Sequence, residues 1–300
     1  FTTISFLFIP ASLFLGWLAA QSFKAGGFAY VFERCMFVLS VISLILFGIL
    51  LLFPSIIDFF PEYTYGDYTS KSIFFLNVLI GDGIIYRNAG FASEPGLFQF
   101  FVNAALYISL VQQRKIRIYH LIYVLTVLST ISTAGLVVMT AILLIFARGY
   151  YRIVIVIGCI IFAAQVTDLF MQHWSAKIAN DYAFMGRLDP ALNAFKLFIA
   201  NPLGIGAVRY TEIYRDAGIG SWDSYTQIAV RYGVLGLVTL GFLLFRVAKK
   251  GLGLFLVFAA SFATNSMWPF AICSCFYFLE KTAFWRLPIN ISGGRSKFGI

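Results

Sequence analysis

Four arginines, Arg87, Arg187, Arg209 and Arg215, stand in polar stretches that also hold most of the acids of this chain. Arginine carries a planar, permanently charged fork that matches phosphate oxygens in pairs. Arg87, Arg187 and Arg209 can therefore clamp a diphosphate. The competing reading sets Arg187 against Asp189 and Arg209 against Glu212, exposed ion pairs worth about 0–1 kcal/mol each. Glu94 has a similar pair of readings. In Arg87-Asn-Ala-Gly-Phe-Ala-Ser-Glu94-Pro95-Gly96, Ser93 can cap a helix whose first turn holds Glu94 and Pro95, positions that favour an acid and a proline. That accounts for Glu94 without chemistry and leaves Arg87, a cation just outside a helix N-terminus, in need of a reason.

The elements that must position these residues are membrane helices. The chain is 60% hydrophobic and 12% charged, where soluble domains carry about a quarter charged residues. Apolar runs cover 4–20, 35–53, 97–112, 118–147, 153–170, 227–247 and 252–279. About 20 helical residues cross a 30 Å hydrocarbon core, so 118–147 and 252–279 are too long for one crossing and short for two. Each has a breaking centre, Ser129–Gly135 in one and Thr264–Pro269 in the other. Two tight, half-length hairpins keep Arg114, Lys115, Arg117, Arg148, Arg152, Lys249, Lys250 and the tail cations on one side. Irregular backbone at that depth must face protein or a wet cavity.

Charge assigns the sides. Short links hold 14 of the 22 Lys and Arg but, among the acids, only Glu33 and Glu280, while the other 11 acids lie in or beside segments 54–96 and 171–226. This is the positive-inside pattern. It places the C-terminus in the cytoplasm, both large polar segments outside, and Phe1 outside as well, as expected of a sequence that begins partway along a longer chain. The expected fold class is an all-α polytopic membrane protein, one integral domain over 1–300 with about nine transmembrane helices. The net charge of +9 orients helices against the lipid bilayer and calls for no nucleic-acid partner. Cys35, Cys159, Cys273 and Cys275 fall in apolar runs, without a disulfide framework or metal-ligand spacing.

The first polar segment is aromatic and acidic, suited to stacking on sugar rings or to an interfacial belt. In the second, Asp189 as N-cap and Pro190 at the first helical position start a short helix whose apolar residues 192, 195, 198 and 199 lie on the membrane surface. Asn201-Pro-Leu-Gly-Ile-Gly206 then turns the chain. The next span opens at Gln227 and carries Arg231 near its end.

In order along the chain, the Arg87–Gly96 stretch, the Ser129–Gly135 break, Arg187, Asn201–Gly206, Ser221-Trp-Asp-Ser-Tyr225 and Tyr232-Gly-Val-Leu-Gly236 resemble the bacterial O-antigen and capsule polymerases of the O-antigen ligase/polymerase superfamily, over roughly 80–245. The resemblance implies a GT-C-like, metal-independent glycosyltransferase without cofactor, at the periplasmic face of the bacterial inner membrane. Its substrate would be an undecaprenyl-diphosphate-linked glycan, its companions a chain-length regulator and a flippase. Arg87 and Arg187 would stabilise the diphosphate leaving group, with Arg209, Arg215, Tyr210, Trp222 and Tyr225 contacting substrate. Glu94 or Asp223 would orient the attacking hydroxyl. In the ligase branch a histidine fills the position matching Asp223 or Ser224; here the histidines are His120 and His173, which favours polymerase. The alternatives are a ligase acting on lipid A core or protein and, in another class, a polysaccharide-lipid flippase or transporter.

Overall fold

The computed structural model describes residues 11, 14–18, 20–21, 27–65, 68–73, 76–81, 85–113, 116–147, 152–153, 157–158, 181–217, 223–264 and 271–278. The runs 4–20 and 153–170 lie mostly outside these residues, and His173, Trp222 and the Asn265–Pro269 break lie wholly outside. Nine principal helices and one small sheet are described: α1 (Gly27–Leu52), α2 (Pro95–Gln113), α3 (His120–Ser129), α4 (Thr133–Phe146), α5 (Asp181–Ala200), α6 (Ala207–Ala217), α7 (Ser224–Ala248), α8 (Leu252–Thr264) and α9 (Ala271–Phe278).

Among the described residues three helices are long and apolar enough to cross a membrane: α1, α2 and α7, of 26, 19 and 25 residues. At about 1.5 Å per residue they reach roughly 28–39 Å. α1 and α7 turn large apolar side chains outward, Val38, Ile45 and Leu52 on one and Leu235, Val238 and Phe242 on the other. Stripes of this kind suit lipid rather than water. α2 stands at the centre, packed by α1, α3, α4 and α8. Small residues Ala104 and Ala105 let its neighbours approach, and Phe100 meets Phe258 of α8 edge-on at 4.9 Å.

The 118–147 run breaks as its pattern predicts. α3 ends at Ser129, and Ser132 caps α4 by accepting from the Gly135 N–H at 3.3 Å. α3 has 10 residues, about 15 Å, half of a hydrocarbon core. The 252–279 run likewise holds two helices, α8 and α9, on either side of residues 265–270.

Three expectations need correction. The first polar segment is an antiparallel meander of β1 (Glu62–Tyr65), β2 (Tyr68–Ile73), β3 (Leu76–Gly81) and β4 (Ile85–Gly90), paired in sequence order after a 3-10 turn at Pro54–Phe59. The molecule is thus mostly helical but not all-α. Leu76 and Val78 of β3 bury against Phe47, Leu50, Ile57 and Phe60, which seats the sheet on the end of α1. Second, α2 begins at Pro95 and its first carbonyl acceptor is Glu94, bonded to the N–H of Leu97 and of Phe98, both at 3.1 Å. Glu94, not Ser93, holds the cap position, because the ladder starts one residue later. Third, Asp189 and Pro190 lie inside α5 rather than at its start. Apolar residues at 182, 185 and 188 already continue the i, i+3 spacing upstream of the proline.

At the end of the bundle away from the sheet, Glu33 is buried and accepts from Ser109 Oγ at 3.1 Å and Tyr123 OH at 3.0 Å, tying α1 to α2 and α3. Lys250, in the link between α7 and α8, is also buried, its ammonium donating to the carbonyls of Arg246 and Tyr277. Burial first, and the Arg246 cation second, push its pKa from 10.5 down to about 8. Between these values the unfolded chain keeps the proton and the folded chain has lost it, so stability rises with pH across that window. Lys250→Met should therefore melt above the wild type at pH 7 in detergent, and that gap should narrow between pH 8 and pH 10 as the wild type loses the proton cost. Superimposable pH profiles for the two proteins would refute the assignment.

Candidate functional site

The sheet end gathers the polar residues. In β4, Ala89 is the extra residue of a bulge: Asn77 pairs with Gly90 and Val78 with Asn88. Bulges re-aim side chains, and here both Arg87 and Asn88 reach the α3–α4 turn. Arg87 is half-buried. Its Nε donates to the Thr130 carbonyl at 3.2 Å and its Nη2 to the Ile131 carbonyl at 3.4 Å. These carbonyls close a helix C-terminus, where partial negative charge collects and a cation is favoured. Ile131 has φ 49°, an uncommon conformation for a β-branched residue that persists only where its surroundings hold it. Asn88, fully buried, accepts from Ser43 Oγ at 2.8 Å and donates to Ser129 Oγ at 2.9 Å. The sheet, α1 and the turn are thereby one polar assembly.

That assembly continues through the central helix. Asn103 of α2 donates to Gln99 Oε1 at 2.9 Å and to the Gly135 carbonyl at 3.1 Å, and Gln99 donates to Ser261 Oγ on α8 at 3.3 Å. Tyr225, near the start of α7, donates to the Ala259 carbonyl of α8 at 3.0 Å. Asp223 caps α7, accepting from the Thr226 N–H at 2.8 Å and from Thr226 Oγ1. Arg87, Asp223 and Tyr225 therefore belong to one end of the bundle.

α5 and α6 pack beside α7 through Ala194, Tyr210 and Val230, with Leu197, Phe198 and Ile205 against them. The apolar face expected of 192, 195, 198 and 199 is thus split. Leu192, Phe195 and Ile199 are exposed, whereas Phe198 turns to the cluster, because one side of the helix packs on α7.

No known family, curated protein or solved structure matches this chain.

Arg209 is exposed and forms no ion pair with Glu212; the ion pairs among the described residues are Arg34–Glu33 and Lys71–Asp58. That pairing therefore does not explain Arg209. Tyr210 is 5% exposed, its ring covered by the Arg231 guanidinium at 4.3 Å, so it supports a cation rather than offering an open face to a sugar. Glu94 is exposed at the start of α2. Arg187 and Arg215 lie in α5 and α6, their side chains outside the described residues. The signal for Arg231 in the sequence is a cation inside an apolar run on the acidic side. Asn88, Gln99 and Asn103 have none, since single amides carry no spacing signal.

Proposed function

We propose that the chain polymerises undecaprenyl-diphosphate-linked oligosaccharide repeat units at the periplasmic face of a bacterial inner membrane, as a metal-independent glycosyltransferase. The observation that carries this reading is Arg87. A guanidinium fastened by two carbonyls is preorganised, so its charge can act where negative charge develops without being rearranged first. In the reaction, the acceptor sugar hydroxyl attacks the anomeric carbon of the donor. The bond from that carbon to the diphosphate oxygen breaks, and undecaprenyl diphosphate leaves with the electron pair. Arg87, Arg187 and Arg209 hold the phosphate oxygens. Asp223 or Glu94 accepts the hydroxyl hydrogen bond and then the proton. The carboxylate of Asp223 is already oriented by Thr226.

One feature favours the flippase rival. α7 has non-helical backbone at Gly233 beside the charged Arg231, and interrupted membrane helices with charge are a transporter device. Deleting the gene separates the readings. Loss of the polymerase leaves single-repeat surface glycan. Loss of a ligase leaves long lipid-linked glycan unattached, and loss of a flippase leaves lipid-linked repeats on the cytoplasmic side. A full-length ladder in the deletion strain would reject polymerisation.

A further inference from the structure

Arg231 has no task in the reaction above. It lies within the 25-residue span α7, eight residues beyond the Asp223 cap, about 12 Å further along the helix. A charge in a membrane span is costly and is retained where it meets a partner or a substrate path. Among the described residues Arg231 has few partners. Its guanidinium lies over the Tyr210 ring, 4.3 Å from the centroid, and its Nε is buried without a hydrogen-bond partner. No carboxylate among the described residues forms an ion pair with it. The residue is only partly buried, so part of the side chain stays reachable.

The backbone around it is held firmly. α7 opens at Gly233, with φ 61° and ψ −151°, and the Asn201–Gly206 loop fills the opening. Ile205 N–H donates to the Val230 carbonyl at 2.9 Å, Gly206 N–H to the Arg231 carbonyl at 3.0 Å, and Val234 N–H to the Pro202 carbonyl at 2.8 Å. The same loop leads into α6, which delivers Tyr210. The ring fixes the plane of the guanidinium, as an aromatic face does for a cation. What results is an oriented, partly desolvated fork that forms no ion pair among the described residues.

We propose that Arg231 binds phosphate oxygens of the lipid-linked diphosphate, with Tyr210 as the platform that sets the plane of the fork. This rests on the reading of the substrate as a polyprenyl diphosphate, which polymerase and flippase share. A site so placed would receive the headgroup from the membrane side of the outer segments, between α6 and α7. Were Arg231 only a packing strut on Tyr210, an uncharged side chain of similar length would serve as well.

The test is a titration of the purified full chain in nanodiscs with farnesyl diphosphate, inorganic pyrophosphate and farnesol, for the wild type, Arg231→Gln, Arg231→Lys and Arg87→Ala. Size-exclusion profile and melting temperature check the fold of each, and Arg231→Lys keeps the charge should Arg231→Gln fold poorly. Farnesyl diphosphate should bind the wild type and weaken about tenfold or more in Arg231→Gln, less in Arg231→Lys, because a point charge replaces a fork. Farnesol should respond to neither. A parallel loss for pyrophosphate assigns the diphosphate itself as the ligand; a loss confined to farnesyl diphosphate assigns the lipid-borne headgroup. Wild-type affinity in folded Arg231→Gln overturns the proposal, and if Arg87→Ala then weakens binding, the substrate reading survives without Arg231. A wild type that binds no diphosphate overturns both.

Discussion

Cells whose only copy carries Arg87→Ala are expected to display single-repeat surface polysaccharide, with chain elongation reduced by about 10²–10³-fold, the scale of removing one preorganised charge-stabilising donor. Two losses combine. The leaving diphosphate loses a cation, and the α3–α4 turn loses the side chain that bonds the Thr130 and Ile131 carbonyls. Leaving such partly buried carbonyls unanswered costs about 1–3 kcal/mol, and Ile131 at φ 49° is the residue most free to relax once released. Arg87→Lys separates the two losses poorly for activity but well for structure. An ammonium can reach one carbonyl and keep the helix-end charge, yet it cannot span two carbonyls and a phosphate as a fork does. The lysine variant should therefore accumulate normally, by immunoblot of membranes, while elongation stays low. A full-length ladder from Arg87→Ala at normal protein level would sink the assignment.

Gly233→Ala should have the largest effect on stability, about 3 kcal/mol or more. Gly233 has φ 61° and ψ −151°, a region essentially closed to side chains. A Cβ there would lie 2.2 Å from the Pro202 carbonyl oxygen and 2.4 Å from the Leu203 carbonyl carbon. Neither atom can yield alone, because the same loop is bonded to Val230, Arg231 and Val234. Gly204→Ala makes the reciprocal collision, at φ 87° with the Arg231 carbonyl oxygen 2.6 Å away. The two substitutions should be strongly non-additive, since once either expels the loop from the opening in α7, the second finds the space already lost. Melting in detergent of both single variants and the double variant measures this. A Gly233→Ala protein that melts with the wild type would show that the loop does not dock in this opening. The expulsion should also carry Tyr210 away from Arg231, so diphosphate binding should fall with stability.

Much of the bundle was legible along the chain. The 97–112 run became α2 with Pro95 at its start, and the Ser/Thr-rich centre of 118–147 became a break with Ser132 as cap. Both follow from local chemistry: a proline that lacks an N–H fits a helix start, and a serine oxygen answers an orphan N–H. The sheet was less legible. Its strands are only four to six residues long, and β1 and β2 carry few apolar residues. Leu76 and Val78 prove to be core residues only because Phe47 and Leu50 lie beneath them. Asp189-Pro190 misled for the opposite reason. Those residue types favour a helix start, but the periodicity on both sides carries α5 through them.

Composition, run length and charge sidedness determined that this is a helical protein with membrane-length apolar helices and two large polar segments, because hydropathy and charge act on each stretch of chain independently of its neighbours. The sequence also marked Arg87 as a cation just outside a helix N-terminus on the acidic side. Only the tertiary structure decided what answers that cation, because the Thr130 and Ile131 carbonyls lie 43 and 44 residues away in the chain. It likewise decided that Tyr210 serves Arg231 and that Gly204 and Gly233 exist for one another. Each of these is a contact between distant segments, and such contacts leave no periodicity or spacing in the sequence from which they could be read.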